Sequence, residues 1–178
     1  MSGRLIAVVG PSGVGKDSVM TAMAASDPRM VLARRVITRP SDAGGEAFDG
    51  VSEAEFQRRA DAGDFALRWQ AHGLRYGILR TIDEPLTQGK DVLANLSRAV
   101  LLEAQARFAH FEVISLTAAR DVLATRLTIR GRESAAQISA RLDREAPSLP
   151  AGIEVHIVDN SHALDQTVQD VRDRLYPV

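Results

Sequence analysis

The stretch Gly10-Pro11-Ser12-Gly13-Val14-Gly15-Lys16-Asp17-Ser18 decides how this chain is read. The apolar run Leu5-Ile6-Ala7-Val8-Val9 precedes it, and good helix formers follow from Val19 to Ala25. Strand, glycine turn and helix in that order make a phosphate-binding loop. The glycines let the backbone curl so that successive N–H groups point at phosphate oxygens. The positive end of the following helix adds a favourable field, and the lysine brings a mobile charge to the outer phosphates. Gly10 through Ser18, with Lys16 central, are therefore expected to hold a nucleoside triphosphate. The pattern asks for Ser or Thr after the lysine, with its hydroxyl on magnesium, and here Asp17 stands in that place. A tight turn ending in a solvated lysine is the competing reading, and the strand and helix on either side argue against it.

Composition narrows the classes. At 178 residues the chain has the size of one domain and can bury a proper core. Its net charge of −1 argues against bulk nucleic-acid binding. The absence of cysteine excludes disulfides and thiolate metal sites. No apolar run is long enough to span a membrane, and Met1 to Lys16 lacks the basic start and long apolar centre of a signal peptide. A soluble cytoplasmic enzyme is expected. The sequence leaves oligomeric state open, a homodimer included.

Beyond the loop, strands and helices alternate. Met30 to Ile37 reads as a strand and Ser41 to Gly50 as a loop rich in Gly and Asp. Ser52-Glu53-Ala54-Glu55 has the form of a capping box and starts a helix that Gly63 ends. Phe65 to Gln70, Val92 to Ala94, Phe111 to Leu116 and Ile153 to Val158 read as strands. Helices are expected at Ile82 to Gln88, Ser97 to Phe108, Ala119 to Ile129, Glu133 to Glu145 and Ala163 to Leu175. This alternation, opened by a phosphate loop, predicts an α/β fold with a parallel sheet flanked by helices.

A second chemical feature is the arginine cluster Arg126, Arg130, Arg132, Arg141 and Arg144. Arg126 and Arg130 share a helix face, and Gly131 breaks the helix after them. Phosphoryl transfer needs positive charge where negative charge spreads in the transition state. A hinged segment carrying guanidinium groups meets that need by closing over the phosphates. The alternative is an exposed helix pair whose arginines pair with Glu133, Asp143 and Glu145, each pair worth little.

Taken together, several segments resemble the guanylate kinases in order and spacing. They are Gly10 to Ser18, Thr38-Arg39-Pro40, Gly45-Glu46, Gly63-Asp64-Phe65, His72-Gly73, Tyr76-Gly77, Gly89-Lys90-Asp91-Val92 and Arg130-Gly131-Arg132. The resemblance implies a single P-loop NTPase-like kinase domain with a core at 1–33, 90–125 and 150–178. It implies an acceptor-binding segment at about 34–89 and an arginine lid at about 126–149. It implies that Arg39 and Tyr76 hold phosphate on the acceptor, with Arg35, Glu46 and His72 beside them. Lys16, Arg130, Arg132 and Arg141 would attend the transferred group, and Arg126 and Asn160 the nucleotide.

The departures redirect the reading. The glutamate through which guanylate kinases recognise guanine falls at Leu67, and the threonine after Tyr-Gly falls at Ile78. A guanine base there would leave its polar edge unpaired, which costs about 1–3 kcal/mol per buried group. The family's Asp-x-Asp after the Gly-x-Asp-Val strand is Asn95-Leu96-Ser97, while a carboxylate appears at Asp17. Asp17 is accordingly the expected Mg2+ ligand, directly or through water, with helix-end electrostatics as the alternative.

These departures are similar to those of the ribose 1,5-bisphosphate phosphokinases. The shared stretches are Gly-Pro-Ser-Gly-x-Gly-Lys-Asp-Ser, Arg35-Val36-Ile37-Thr38-Arg39-Pro40, Trp69-Gln70-Ala71-His72-Gly73-Leu74 and Asn95-x-Ser97-Arg98. That resemblance implies ATP-dependent phosphorylation of a small sugar phosphate, α-D-ribose 1,5-bisphosphate, with 5-phosphoribosyl 1-diphosphate and ADP as products. A nucleoside monophosphate kinase and a non-catalytic module of the same fold are the other two readings.

Overall fold

The computed structural model describes residues 2–11, 13–40, 48–131, 134–144 and 149–177. β1 (Leu5–Val9) runs into the phosphate loop and α1 (Lys16–Ser26), and a short β2 (Met30–Leu32) follows. The chain then builds a separate layer: β3 (Arg35–Ile37), β4 (Phe48–Gly50), α2 (Glu53–Asp61), β5 (Phe65–Ala71) and β6 (Leu74–Leu79). It returns through α3 (Asp83–Thr87) to β7 (Asp91–Asn95), then α4 (Leu101–Arg107) and β8 (Phe111–Thr117). α5 (Arg120–Arg130), α6 (Ala135–Arg144), β9 (Val155–Asp159) and α7 (Leu164–Leu175) complete it.

The first sheet has the order β2-β7-β1-β8-β9, and every pair in it is parallel. All five residues of β1 are buried, as a central strand covered on both faces requires. Alternate residues feed two cores. Leu5, Ala7 and Val9 face Leu86, Leu101 and Ala104 from α3 and α4. Ile6 and Val8 face Met20 and Met23 of α1 and Val171 of α7. This is the flanked parallel sheet that the alternation predicts.

A second sheet, β4-β3-β6-β5, was not foreseen. The expected single strand at Met30 to Ile37 is two strands in different sheets, changing sheet at Ala33 and Arg34. The stretch is apolar at both ends, and Arg34-Arg35 in its middle marks where it changes partners. The expected loop up to Gly50 ends in β4, which pairs parallel to β3. The hairpin β5–β6 turns on His72 and Gly73, both at positive φ (54° and 74°), the pattern of a type I′ turn. Half of the expected capping box forms. The Ser52 hydroxyl accepts from the Glu55 N–H at 3.1 Å, while the Glu55 carboxylate takes Arg58 and Arg59.

The ends of the chain are tied together by charge. Arg4 bonds Asp91 at 2.8 Å and Glu112 at 2.6 Å, and the Tyr176 hydroxyl donates to the same Asp91 carboxylate. Burial and that carboxylate push the Tyr176 hydroxyl up to about 12. Arg29 lies 3.7 Å over the Tyr176 ring and grips buried Asp27 at 2.6 Å. Its guanidinium holds the Asp27 carboxyl down at about 2, against an ordinary 3.8. A carboxyl depressed on folding gives stability that is whole above about pH 4 and lost as pH falls toward the folded value. Asp27→Asn is therefore expected to flatten the fall in melting temperature between about pH 4 and pH 2. An unchanged acid slope in thermal melts would remove Asp27 from the acid response. No described helix is long and apolar enough to cross a membrane.

Candidate active site

At the end of β1 the backbone turns through Gly15, whose φ of 95° suits glycine. A Cβ there would lie 2.8 Å from Asn160 Nδ2, so the position also has no room for a side chain. Two residues far off in sequence brace this loop. Arg126 Nη1 donates to the Val14 carbonyl at 3.1 Å, and Nη2 to the Asn160 carbonyl at 2.7 Å. Asn160 Nδ2 donates to the Val14 carbonyl at 2.6 Å, and Oδ1 accepts from the Thr167 hydroxyl at 2.5 Å. Asn160 is buried, so these bonds have no water to replace them. Asn160→Ala is expected to cost about 1–3 kcal/mol of stability, measured by urea unfolding. A cost near zero would show that the brace is slack.

Lys16 starts α1, and its Nζ donates to the Gly10 carbonyl at 2.7 Å. Asp17 and Ser18 follow on the exposed first turn. Beyond Lys16 opens a cavity of 360 Å³ between the two sheets. Gly10, Pro11 and Lys16 form one end, and Asn95 at the end of β7, with Ser97 and Arg98 just beyond it, forms the floor. The register Val8↔Asn95 sets that floor beside the phosphate loop. It thus lies at the carboxyl ends of parallel strands, where open α/β sheets take their ligands.

The second sheet supplies the opposite wall. Trp69 and Tyr76 stack with centroids 5.5 Å apart and planes 5° from parallel. Arg35 lies 4.9 Å over the Tyr76 ring and lines the cavity. Burial pushes the Arg35 guanidinium down to about 10, against the pull of Tyr76 and Asp17 and with the push of Arg39. Arg35 thus stands within electrostatic reach of the first turn of α1. His72 reaches the cavity from the hairpin turn. Arg39 rests 4.3 Å over the ring of buried Phe48. Among the described residues the lining carries three fixed cations, Lys16, Arg35 and Arg98, and no carboxylate.

The structure thus brings Gly10, Pro11, Lys16, Arg35, His72 and Tyr76 to one cavity, with Gly13, Val14, Gly15, Arg126 and Asn160 building the loop at its end. Arg39, resting on the Phe48 ring of β4, does not line the cavity. Arg130 ends α5 and Arg141 lies in α6, two helices that pack together. Ser12, Glu46 and Arg132 lie outside the described residues. Leu67 and Ile78 are 1% and 0% exposed within the core, so no polar group takes the guanine-recognising positions.

Trp69 and Arg98, which the sequence offered only within shared stretches and without a role, both line the cavity. The signal for Arg98 was its place three residues past the end of a strand that neighbours the phosphate loop. Among the described residues a metal-like trio, Glu112, Glu154 and His156, lies at the opposite end of the sheet, where Arg4 and His156 bind the Glu112 carboxylate.

A parallel sheet with a braced phosphate loop facing a basic wall defines a P-loop phosphotransferase. The guanylate kinase family profile matches residues 2–176, and the chain belongs to that family. It is 56% identical over 171 residues to a ribose 1,5-bisphosphate phosphokinase of Ruegeria sp. (strain TM1040), covering 96% of this chain and 90% of that one. It is 46% identical over 165 residues to a bifunctional ribose 1,5-bisphosphokinase-thymidine phosphorylase of Cupriavidus necator, covering 92% of this chain and 28% of that one. The crystal structure of guanylate kinase from Anaplasma phagocytophilum shares the fold, with a TM-score of 0.69 at 17% identity, over 98% of this chain and 85% of that one.

Proposed function

We propose that this enzyme transfers the γ-phosphoryl group of ATP to the 1-phosphate of α-D-ribose 1,5-bisphosphate, giving 5-phosphoribosyl 1-diphosphate and ADP. One observation carries the reading: among the described residues the cavity is lined by three fixed cations and no carboxylate, with no base-recognising polar group at Leu67 or Ile78. Such a site suits an acceptor with two phosphates and no base. The naming of the Ruegeria relative agrees with it.

In the step itself, an oxygen of the acceptor 1-phosphate bonds to the γ-phosphorus while the bond from that phosphorus to the β–γ bridging oxygen breaks. The attacking oxygen is already ionised, so no general base is needed. Catalysis comes from alignment and charge. Lys16 leaves the Gly10 carbonyl for the outer phosphates of ATP, and the backbone of residues 10–18 cradles the rest. Arg35 and Tyr76 hold the acceptor, with Arg39, His72 and Glu46 completing that segment. Arg130, Arg132 and Arg141, on a lid at about 126–149, close over the transferred group, and Arg126 and Asn160 keep the loop in shape. The acceptor-binding segment is about 34–89, and the rest of the chain forms the core.

The oxygen donors near the loop suit a hard cation such as Mg2+. Asp17 would hold it, with the Asn95 side-chain carbonyl and the Ser97 hydroxyl nearby, and the ion supplies neutralisation of phosphate charge when bound. Asp17→Ser is expected to raise the Mg2+ concentration for half-maximal rate by about tenfold. An unchanged magnesium dependence would exclude Asp17 as a ligand.

Phosphorus NMR of the enzyme with ATP and Mg2+ tests the proposal, with ribose 1,5-bisphosphate and GMP in separate tubes. A new sugar diphosphate signal with ADP from the first, and none from the second, is the expected result. Turnover of GMP alone would overturn it.

A further inference from the structure

We propose that Arg98 binds the acceptor phosphate that does not receive the phosphoryl group, and so sets the preference for a sugar bisphosphate over a sugar monophosphate. The inference rests on the acceptor proposed above. Arg98 begins a single 3-10 turn after β7, with the Ser97 hydroxyl accepting from the Ala99 N–H at 3.2 Å to fix its start. That turn packs against β5, so Arg98 enters the cavity where the two sheets meet. Its Nε and Nη2 are shut off from solvent and have no hydrogen-bond partner among the described residues. A guanidinium stays charged at any working pH, and its planar fork matches a phosphate. Charged donors buried at a cavity wall without a partner are prepared for an anion.

The division of labour follows from the inventory of cations. Among the described residues lining the cavity, Lys16 belongs to the nucleotide end, and Arg35 and Arg98 are the fixed cations placed for two acceptor phosphates. Arg35 lies on the second sheet within electrostatic reach of Asp17 on α1, which puts it toward the end where transfer occurs. Arg98 rises from the junction with β5. The receiving phosphate falls to Arg35, and the other to Arg98.

Calorimetric titration separates the two roles without needing turnover. The probes are ribose 1,5-bisphosphate, ribose 5-phosphate and ribose 1-phosphate, each offered to wild type, Arg98→Met and Arg98→Lys, with the weaker ligands measured by competition against the bisphosphate. Arg98→Met is expected to weaken the bisphosphate and ribose 5-phosphate by about 10- to 100-fold, the worth of a charged hydrogen bond. Ribose 1-phosphate should weaken by less than about threefold, and Arg98→Lys should recover part of the loss because it keeps the charge without the fork. The melting temperature of Arg98→Met without ligand should not fall, since the change removes two guanidinium nitrogens shut off from solvent without a hydrogen-bond partner among the described residues. If Arg98→Met does not fold, the Arg98→Lys titration carries the test alone.

Equal weakening of both monophosphates, or of neither, would overturn the role given to Arg98. Wild-type protein that binds none of the three sugar phosphates would instead sink the substrate itself, a result distinct from either.

Discussion

Replacing Lys16 with Met is expected to lower kcat by about 10³-fold, the scale at which a charge aimed at the reacting phosphates acts. The structure allows this effect to be separated from damage to the fold. The loop that carries Lys16 is shaped by Gly15, Arg126 and Asn160, whose bonds run to backbone carbonyls of residues 13–14 and 160 and involve no lysine. The Lys16 ammonium itself makes a 2.7 Å bond to the Gly10 carbonyl, which water can replace in the Met variant because Lys16 is only half-buried. The melting temperature should therefore hold while the rate collapses. ADP release assayed beside a thermal melt checks both. A Met variant retaining a tenth of the rate or more would mean that phosphoryl transfer does not happen at this loop.

The second large effect concerns stability. Installing a glutamate at Leu67, the position from which guanylate kinases read guanine, is expected to cost about 4 kcal/mol or more. Leu67 is 1% exposed and packs in one cluster with Ile78, Trp69 and Phe48. The substitution removes a buried aliphatic side chain and puts a carboxyl in its place with no donor provided for it. Against a typical net stability of about 5–15 kcal/mol, that is a large share. Urea unfolding measures the loss, and GMP phosphorylation should stay absent. A stable Leu67→Glu protein that phosphorylates GMP would show that a base pocket survives here.

These two positions also show what the sequence could tell. Lys16 was legible because the loop is local: glycines, lysine, preceding strand and following helix lie within about 20 residues, and each constrains the next. The parallel core was legible for the same reason. The second sheet was not. β3 and β4 are three residues long, too short to display a period. β6 carries Gly77, a residue that counts against a strand. The glycine is there because the Phe65 ring of β5 occupies its side-chain space, 2.4 Å from where a Cβ would stand. That neighbour is set by the hairpin pairing. The loop-bracing contacts of Arg126 and Asn160 span 112 and 146 residues, so no local pattern announces them. Arg98 stood in a shared stretch with no role attached, because its distinction is two buried nitrogens without partners among the described residues, which only a folded chain can reveal.

The clasp of Arg4, Asp91 and Tyr176 bears on how such a unit is inherited. Because β1 begins and α7 ends against one carboxylate, the polypeptide enters and leaves the domain at a single point on its surface. A domain with that geometry can be spliced onto a second enzyme through one short tether, with no segment threaded across its cleft and no hinge disturbed.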